Sequence, residues 1–183
     1  MDGRAASDDD ERSLPRRMAG GDEAAFAEAY DQYGHRLYRT ALRYLGCGGE
    51  AEDAVQDLFV ALVRSRDRLA SVENLASYLF VALRRHVGRR SRRRPRPTTD
   101  EGAEAAETLN LELGRVDLRD SLAAALELLP AEQREVVILK IDSELTFDEI
   151  AQVLDISPHT AASRYRYALD KLRARLTREE PTT

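Results

Sequence analysis

The sequence predicts an all-α protein made of two small helical domains joined by a flexible linker. Ala, Leu, Arg and Glu recur, glycine and β-branched residues are sparse over most of the length, and no stretch alternates with a period of two. A chain of 183 residues, 43% of them hydrophobic, can bury one modest core or two small ones. A segment with opposed blocks of charge and few apolar residues separates two sets of helical patterns, which favours two domains.

The N-terminal half contains a tail followed by three helical patterns. Residues 1–20 mix acids, Arg, Gly and Pro without periodicity, and we expect a disordered tail there. The first helix follows, because apolar residues then recur at steps of three and four until the sequence LGCGGE interrupts them. Two further helices are predicted over about residues 50–66 and 74–90. Together the three helices form a predicted domain over residues 21–92.

Charge is strongly segregated between two neighbouring segments near the middle of the chain. The net charge is −5, yet residues 84–96 contain eight Arg and no acid, while residues 100–112 contain five acids and no base. Residues 93–115 are predicted to be a flexible linker, because almost no apolar side chain is present to anchor them.

The predicted C-terminal domain covers residues 116–178 and is followed by a short tail over residues 179–183. Thr146 and Glu149 have the spacing of a capping box, which marks the start of the penultimate helix. Ser157, followed by a proline, suits the N-cap of the last helix. Two short helices joined by a tight turn are typical of a helix-turn-helix.

Polar side chains lie near the start of this last helix, away from its apolar stripe. They are His159, Thr160, Ser163 and Arg166, with Arg164 at the edge of the stripe. In a major groove Arg can bind guanine with two hydrogen bonds, while Ser, Thr and the helix N-terminus can bind phosphates. An ordinary helical hairpin with a solvated Arg face fits the same spacing, so spacing alone leaves both interpretations open.

No group of residues indicates catalysis, a metal or a cofactor. His35, His86 and His159 are scattered, a single Cys47 can form neither an internal disulfide nor a zinc site, and no glycine-rich phosphate loop precedes a helix. No apolar run approaches the roughly 18 residues of a membrane span, and the start lacks the apolar core of a secretory signal. We therefore expect a cytoplasmic protein that is not an enzyme, binds no cofactor and does not insert into a membrane.

Two stretches resemble, in the expected order, the two domains of bacterial sigma factors of the extracytoplasmic-function (ECF) class. Similarity to the N-terminal domain covers AFAEAYDQYGHRLYRTALRYLG and the following EAEDAVQDLFVALVR. Similarity to the promoter-reading C-terminal domain covers LPAEQREVVILKIDSELTFDEIAQVLDISPHTAASRYRYALDKLRARL. The resemblance extends over about residues 22–176 and implies a factor that directs core RNA polymerase to specific promoters and initiates transcription.

The resemblance implies two sites in the first domain. In the family, the helix matching residues 50–64 docks on the largest polymerase subunit, and the implied core-binding residues are Asp53, Gln56, Asp57 and Phe59. The stretch that follows would hold the minus-10 element as it melts, and the implied DNA-binding residues are Tyr78, Arg84, Arg85, Arg89 and Arg90. Two of these depart from the family, which commonly has Trp in place of Tyr78 and Asn in place of Arg85. A solvated acidic face and a nonspecific basic tail are the alternative interpretations.

In the second domain the resemblance implies that the last helix reads the minus-35 element. Thr160, Ser163 and Arg164 match the family motif and are carried over as DNA-facing residues, whereas Ala162 replaces a basic residue. Asp155 stands in the turn where the family commonly has Gly, so we expect a left-handed backbone there.

The expected partners are core RNA polymerase, double-stranded promoter DNA with its melted single strand, and an anti-sigma protein. An alternative is a stand-alone helix-turn-helix transcription regulator, but such a protein has no need of the sequence EDAVQDLF. A third hypothesis is a decoy that binds an anti-sigma protein without touching DNA. The presence of Arg164 and Arg166 argues against this hypothesis.

Overall fold

The computed structural model describes residues 14–91 and 124–176, which divide between two compact units, Met1–Thr99 and Asp100–Thr183. Helices make up most of the described residues, short turns and irregular connections join them, and no strand is among them, which confirms the predicted all-α class. The predicted linker over 93–115 lies outside the described residues.

Over residues 14–91, the described part of the first unit, three long α-helices pack together. They are α1 (Glu23–Leu45), α2 (Gly48–Arg64) and α3 (Leu75–Ser91), with a 3-10 helix at Arg66–Ser71 between the last two. Each α-helix packs against the other two. The buried core contains Tyr33, Leu37, Leu58, Leu62, Leu69, Leu79, Phe80 and Leu83.

The predicted break after the first helix is confirmed at Gly46. This residue has a φ of 72°, and its backbone N–H donates to the carbonyl of Leu42. A left-handed residue at this position ends a helix and is easiest for glycine. The next helix already starts at Gly48, two residues earlier than predicted, and ends at Arg64 instead of residue 66.

A helical segment over residues 14–19 precedes α1. Leu14 and Met18 are 1% and 0% exposed. Residues four apart lie on one face of a helix, so this segment buries one face. The Nε of Arg17 lies 3.0 Å from Asp22 Oδ2, and its Nη1 lies 2.7 Å from Glu28 Oε2. The prediction of a disordered tail through residue 20 is therefore wrong from residue 14 onward.

The outermost part of that predicted tail, residues 1–13, lies outside the described residues, as do residues 177–183.

Over residues 124–176, the described part of the second unit, the structure has a helical segment at 124–127 and three longer α-helices. They are α4 (Ala131–Ile141), α5 (Phe147–Leu154) and α6 (Pro158–Leu176). Both α4 and α5 pack against α6. One buried cluster of this unit consists of Ala125, Leu129, Val137, Ala168 and Leu172.

Candidate functional site

The turn between α5 and α6 has the geometry of a helix-turn-helix. Thr146 Oγ1 accepts a hydrogen bond from the Glu149 N–H, and the Glu149 carboxylate accepts one from the Thr146 N–H, which confirms the predicted capping box. Asp155 ends α5 with φ 56° and ψ 51°, the left-handed conformation expected there. Ser157 Oγ then accepts from the Thr160 N–H at 3.0 Å, so α6 begins at Pro158 with its N-terminus capped.

The side of α6 away from the protein core carries three of the predicted residues together. His159 and Arg166 are exposed and Ser163 is half-buried, and they follow each other at steps of four and three along one stripe. The hydroxyl of Thr160 lies 2.7 Å from that of Ser157 and belongs to the cap. The stripe lies in the N-terminal half of the helix, the part that reaches base edges when such a helix enters a major groove.

Arg164 is separated from this stripe. Its Nη2 lies 2.5 Å from Glu132 Oε2 in the first turn of α4. The structure therefore places Arg164 between the two helices, at the flank of the outer face.

On α2 the polar residues of the predicted docking site are exposed. Asp53, Gln56 and Asp57 lie on the solvent side, and Asp57 Oδ2 is 3.5 Å from His86 Nε2 of α3. Phe59 is half-buried at the other edge of this side, where its ring meets Tyr30 of α1 edge to face with centroids 5.2 Å apart. The predicted docking residues thus span the outer face of α2 from its α1 edge to its α3 edge.

On α3, Tyr78 and Arg85 share one face, because residues seven apart lie two turns along the same side. Tyr78 is half-buried and Arg85 is exposed, while Arg84 is exposed on the adjoining face. The side chains of Arg89 and Arg90 lie outside the described part of the structure.

Comparison with known proteins bears on both units. Residues 29–96 match sigma-70 region 2, and residues 119–172 match sigma-70, region 4. The chain is 31% identical to the ECF RNA polymerase sigma factor SigK of Mycobacterium tuberculosis, over 88% of this chain and 90% of that protein. The chain belongs to the ECF class of RNA polymerase sigma factors.

Other ECF sigma factors are similar along most of the chain. Identity to SigW of Bacillus subtilis is 25%, over 88% of this chain and 94% of that protein. The fold resembles CnrH, solved in complex with the cytosolic domain of CnrY, with a TM-score of 0.71, 24% identity and coverage of 93% and 99% of the two chains. It also resembles the sigma factor RpoE from Bartonella quintana, solved with the anti-sigma factor NepR, at a TM-score of 0.63, 25% identity and coverage of 85% and 98%.

The predicted function is confirmed at this level: the chain is an RNA polymerase sigma factor, a transcription initiation factor. The stand-alone regulator is not favoured, because the first unit matches sigma-70 region 2 in addition to the helix-turn-helix unit.

Sequence reasoning missed three exposed residues of this ECF sigma factor. Val60 and Val63 are exposed apolar side chains on the same outer face of α2 as Gln56. Tyr167 is exposed on α6, and the guanidinium of Arg166 lies 5.2 Å from the centroid of its ring. The available signal was periodicity, because all three fall outside the apolar stripes of their own helices.

Among the described residues, no group of three or more His, Cys, Asp or Glu side chains has a geometry that could hold a metal ion. Within the same ranges, every helix is too short or too polar to cross a membrane.

Proposed function

We propose that this sigma factor binds core RNA polymerase through the outer face of α2 and reads two promoter elements, the minus-10 element with α3 and the minus-35 element with α6. One observation carries the proposal: the chain exposes a mixed apolar and polar face on α2 and, in its other unit, a capped helix-turn-helix with a polar outer stripe. A stand-alone regulator would have a use for only the second of these surfaces.

The α2 face has the composition of a protein interface. Val60 and Val63 supply exposed apolar area, and Asp53, Gln56 and Asp57 place polar groups beside it on the preceding turns of α2. Interfaces commonly combine an apolar centre with a polar rim. Because the valines are exposed, their burial against polymerase would add binding energy without weakening the fold of the first unit.

The exposed face of α3 suits a strand whose bases are unpaired. Tyr78 offers a ring for stacking, and Arg85 offers a cation for the backbone on the same side of the helix. Stacking and phosphate neutralisation are the two interactions by which proteins hold single-stranded DNA. Arg84, Arg89 and Arg90 belong to the proposed backbone contacts.

The stripe on α6 suits double-stranded DNA. Arg166 can read guanine with two hydrogen bonds, and Ser163 and His159 lie beside it to contact bases or phosphates. In the first turn of α6 the Thr160 N–H donates to Ser157 Oγ and Pro158 has no N–H, so the backbone N–H of His159 is the proposed phosphate contact, with the hydroxyl of Thr160 beside it.

Three further statements belong to the proposal. The domains span residues 14–92 and 116–178, the protein acts in the cytoplasm, and it works as an initiation factor without catalysing a reaction or binding a cofactor. An anti-sigma protein is a further partner, supported by the RpoE complex with the anti-sigma factor NepR.

The test is transcription in vitro with purified core polymerase on sheared DNA of the source genome, with and without the protein. New discrete start sites that share two spaced upstream motifs support the proposal. If the protein binds core polymerase but no new start site appears, the assignment of α3 and α6 to promoter elements is refuted. If the protein does not bind core polymerase, the assignment of α2 as the docking surface is refuted.

A matched pair of variants addresses α6. Arg166→Ala is expected to abolish the shared upstream motif of the minus-35 element among the starts. Arg173→Ala removes another exposed Arg of the same helix, two turns farther from the N-terminus, and should leave the motif intact. Equal effects of the two variants would refute reading by the N-terminal half of α6.

A further inference from the structure

The ion pair between Glu132 and Arg164 connects the recognition helix to α4. The side chain of Arg164 is 26% exposed and that of Glu132 is 70% exposed, so the pair lies at the surface with its Arg partly enclosed. Arg164 follows the fully buried Ala161 by three residues and precedes the fully buried Ala168 by four. It therefore lies next to the packed stripe of α6.

The direction of Arg164 differs from that of the outer stripe. Two residues at 100° each place Arg166 about 160° around the helix from Arg164. The Arg164 guanidinium is bound to Glu132 of α4 on one side of α6. In this arrangement it cannot also contact a base edge that faces Arg166 on the opposite side.

We propose that Glu132 and Arg164 act as positioning residues, which fix the rotation of α6 against α4, and that Arg164 does not read a base. This inference rests on the proposed function of α6 in promoter recognition. Tyr165 contacts Phe147 of α5 on another side of the stripe, with ring centroids 5.7 Å apart. The two contacts hold α6 from both neighbouring helices, and this fixed rotation aims Arg166 and Ser163 at the groove.

The inference assigns a role in DNA recognition to Glu132, a carboxylate that would itself be repelled by phosphate. If Arg164 instead contacted DNA directly, Glu132 would compete with DNA for the guanidinium. Removal of the carboxylate charge then has opposite effects under the two assignments. Glu132→Gln lowers promoter affinity if the pair positions α6, and raises or preserves it if Arg164 is a DNA contact.

The decisive experiment is a charge exchange in the full chain bound to core polymerase, with promoter affinity and initiation measured on a promoter found for the wild type. Arg164→Glu alone should reduce affinity by about tenfold or more, because it faces Glu132 with a like charge. The double variant Glu132→Arg with Arg164→Glu restores the opposite charges and should return affinity to within about threefold of wild type, since opposite charges attract in either orientation.

Two further readouts separate positioning from direct contact. The affinities of wild type and Glu132→Gln are measured on each single-base variant of the minus-35 element. The ratio of the two affinities should be similar on all of these DNA variants. The salt dependence of binding by the exchanged pair should match that of wild type, because no phosphate contact is lost.

Failure of the double variant to recover, or a changed preference at one base pair in Glu132→Gln, would overturn the inference. In that event wild-type initiation from the promoter still supports the proposed function. If the wild type shows no promoter-specific initiation, the proposed function fails first. Circular dichroism of each variant checks the fold, and Glu132→Gln keeps the test valid if Arg164→Glu does not fold.

Discussion

Phe147 of α5 meets Tyr165 of α6 edge to face, with ring centroids 5.7 Å apart and ring planes at 61°. The Nζ of Lys140 in α4 lies 5.0 Å from the centroid of the same Phe147 ring. Helices α4, α5 and α6 therefore meet around one aromatic side chain. Tyr165 immediately precedes Arg166, so this contact lies next to the outer stripe of α6.

Replacement of Tyr165 by Leu should destabilise the second unit and weaken promoter binding. An aromatic pair of this geometry contributes about 0.5–1.5 kcal/mol beyond its buried area, and Leu forfeits that contribution. Tyr165→Phe retains the ring and is the matched control, expected to behave like wild type. Urea unfolding of the full chain followed by circular dichroism measures the effect, and equal stability of the two variants would contradict the role assigned to the ring pair.

Substitution of Asp155 by Gly should stabilise the second unit by up to about 1 kcal/mol, because Asp155 has a positive φ that costs an L-residue energy. Asp155→Val should cost about 1–2 kcal/mol, since a β-branched side chain is poorly accommodated there. Gln152→Val, at an exposed helical position of α5, serves as the control and should cost about 0.5 kcal/mol. Thermal unfolding distinguishes them, and a destabilised Gly variant would argue that the Asp155 side chain has a further structural role.

Val60→Glu should reduce the affinity for core polymerase at least about tenfold, because a charge is placed in the apolar centre of the proposed interface. Val60 is exposed, so the fold should persist, as circular dichroism can verify. Ala24→Glu introduces the same charge at an exposed position in the first turn of α1 and should bind core like wild type. Unchanged binding by Val60→Glu would exclude this part of α2 from the interface.

Asp22 should make the first unit sensitive to acid. The hydrogen bond from Arg17 lowers the pKa of the Asp22 carboxyl below its ordinary value, as do the backbone N–H groups that it caps. The unfolded state therefore binds the proton more tightly, so the stabilisation is present above the unfolded pKa of about 3.9 and disappears as the pH falls through the folded value.

Asp22→Asn isolates this charge, because Asn still caps a helix. At neutral pH the variant should unfold at a lower temperature than wild type, and the difference should shrink toward about pH 2. Asp31→Asn, an exposed position later in α1, should show a smaller difference at neutral pH. If the difference in unfolding temperature between wild type and Asp22→Asn persists unchanged in acid, the ion pair does not make the contribution assigned to it.

Met18→Ala should cost the first unit about 2–5 kcal/mol, the usual loss for a fully buried side chain of this size. Arg16→Ala changes an exposed residue of the same helical segment and should be nearly neutral. Chemical denaturation of the full chain provides the comparison. Equal stability of the two variants would mean that the segment over 14–19 contributes little to the core.

Local signals predicted much of this architecture. Gly46, the capping box at Thr146 and the left-handed Asp155 are where the sequence indicates them, because caps and turns depend on residues within one helical turn of each other. The segment containing Leu14 and Met18 escaped prediction, since six helical residues surrounded by charge show too short a period to recognise.

The contacts and exposure of the predicted site residues depend on helices that are distant in the sequence. Phe59 matched a docking motif, but its contact with Tyr30 comes from another helix. Tyr78 is implied to bind DNA by the resemblance, and the structure leaves it half-buried on the same face as the exposed Arg85. Exposure of this kind depends on which helices pack on which side, and periodicity within one helix does not contain that information.

The sequence by itself determined the long helices, the caps at Gly46, Thr146 and Asp155, and the order of the two sigma-70 regions and hence the family, because all of these follow from periodicity, caps and motif spacing within short segments. Only the tertiary structure decided which polar residues of α6 pair with a side chain of another helix. The sequence places Arg166 away from the apolar stripe and Arg164 at its edge, but the packing of α4 against α6 is what brings Glu132 to Arg164. The approach of a helix that is distant in the sequence determines such a charge partner, and periodicity within α6 does not contain that information.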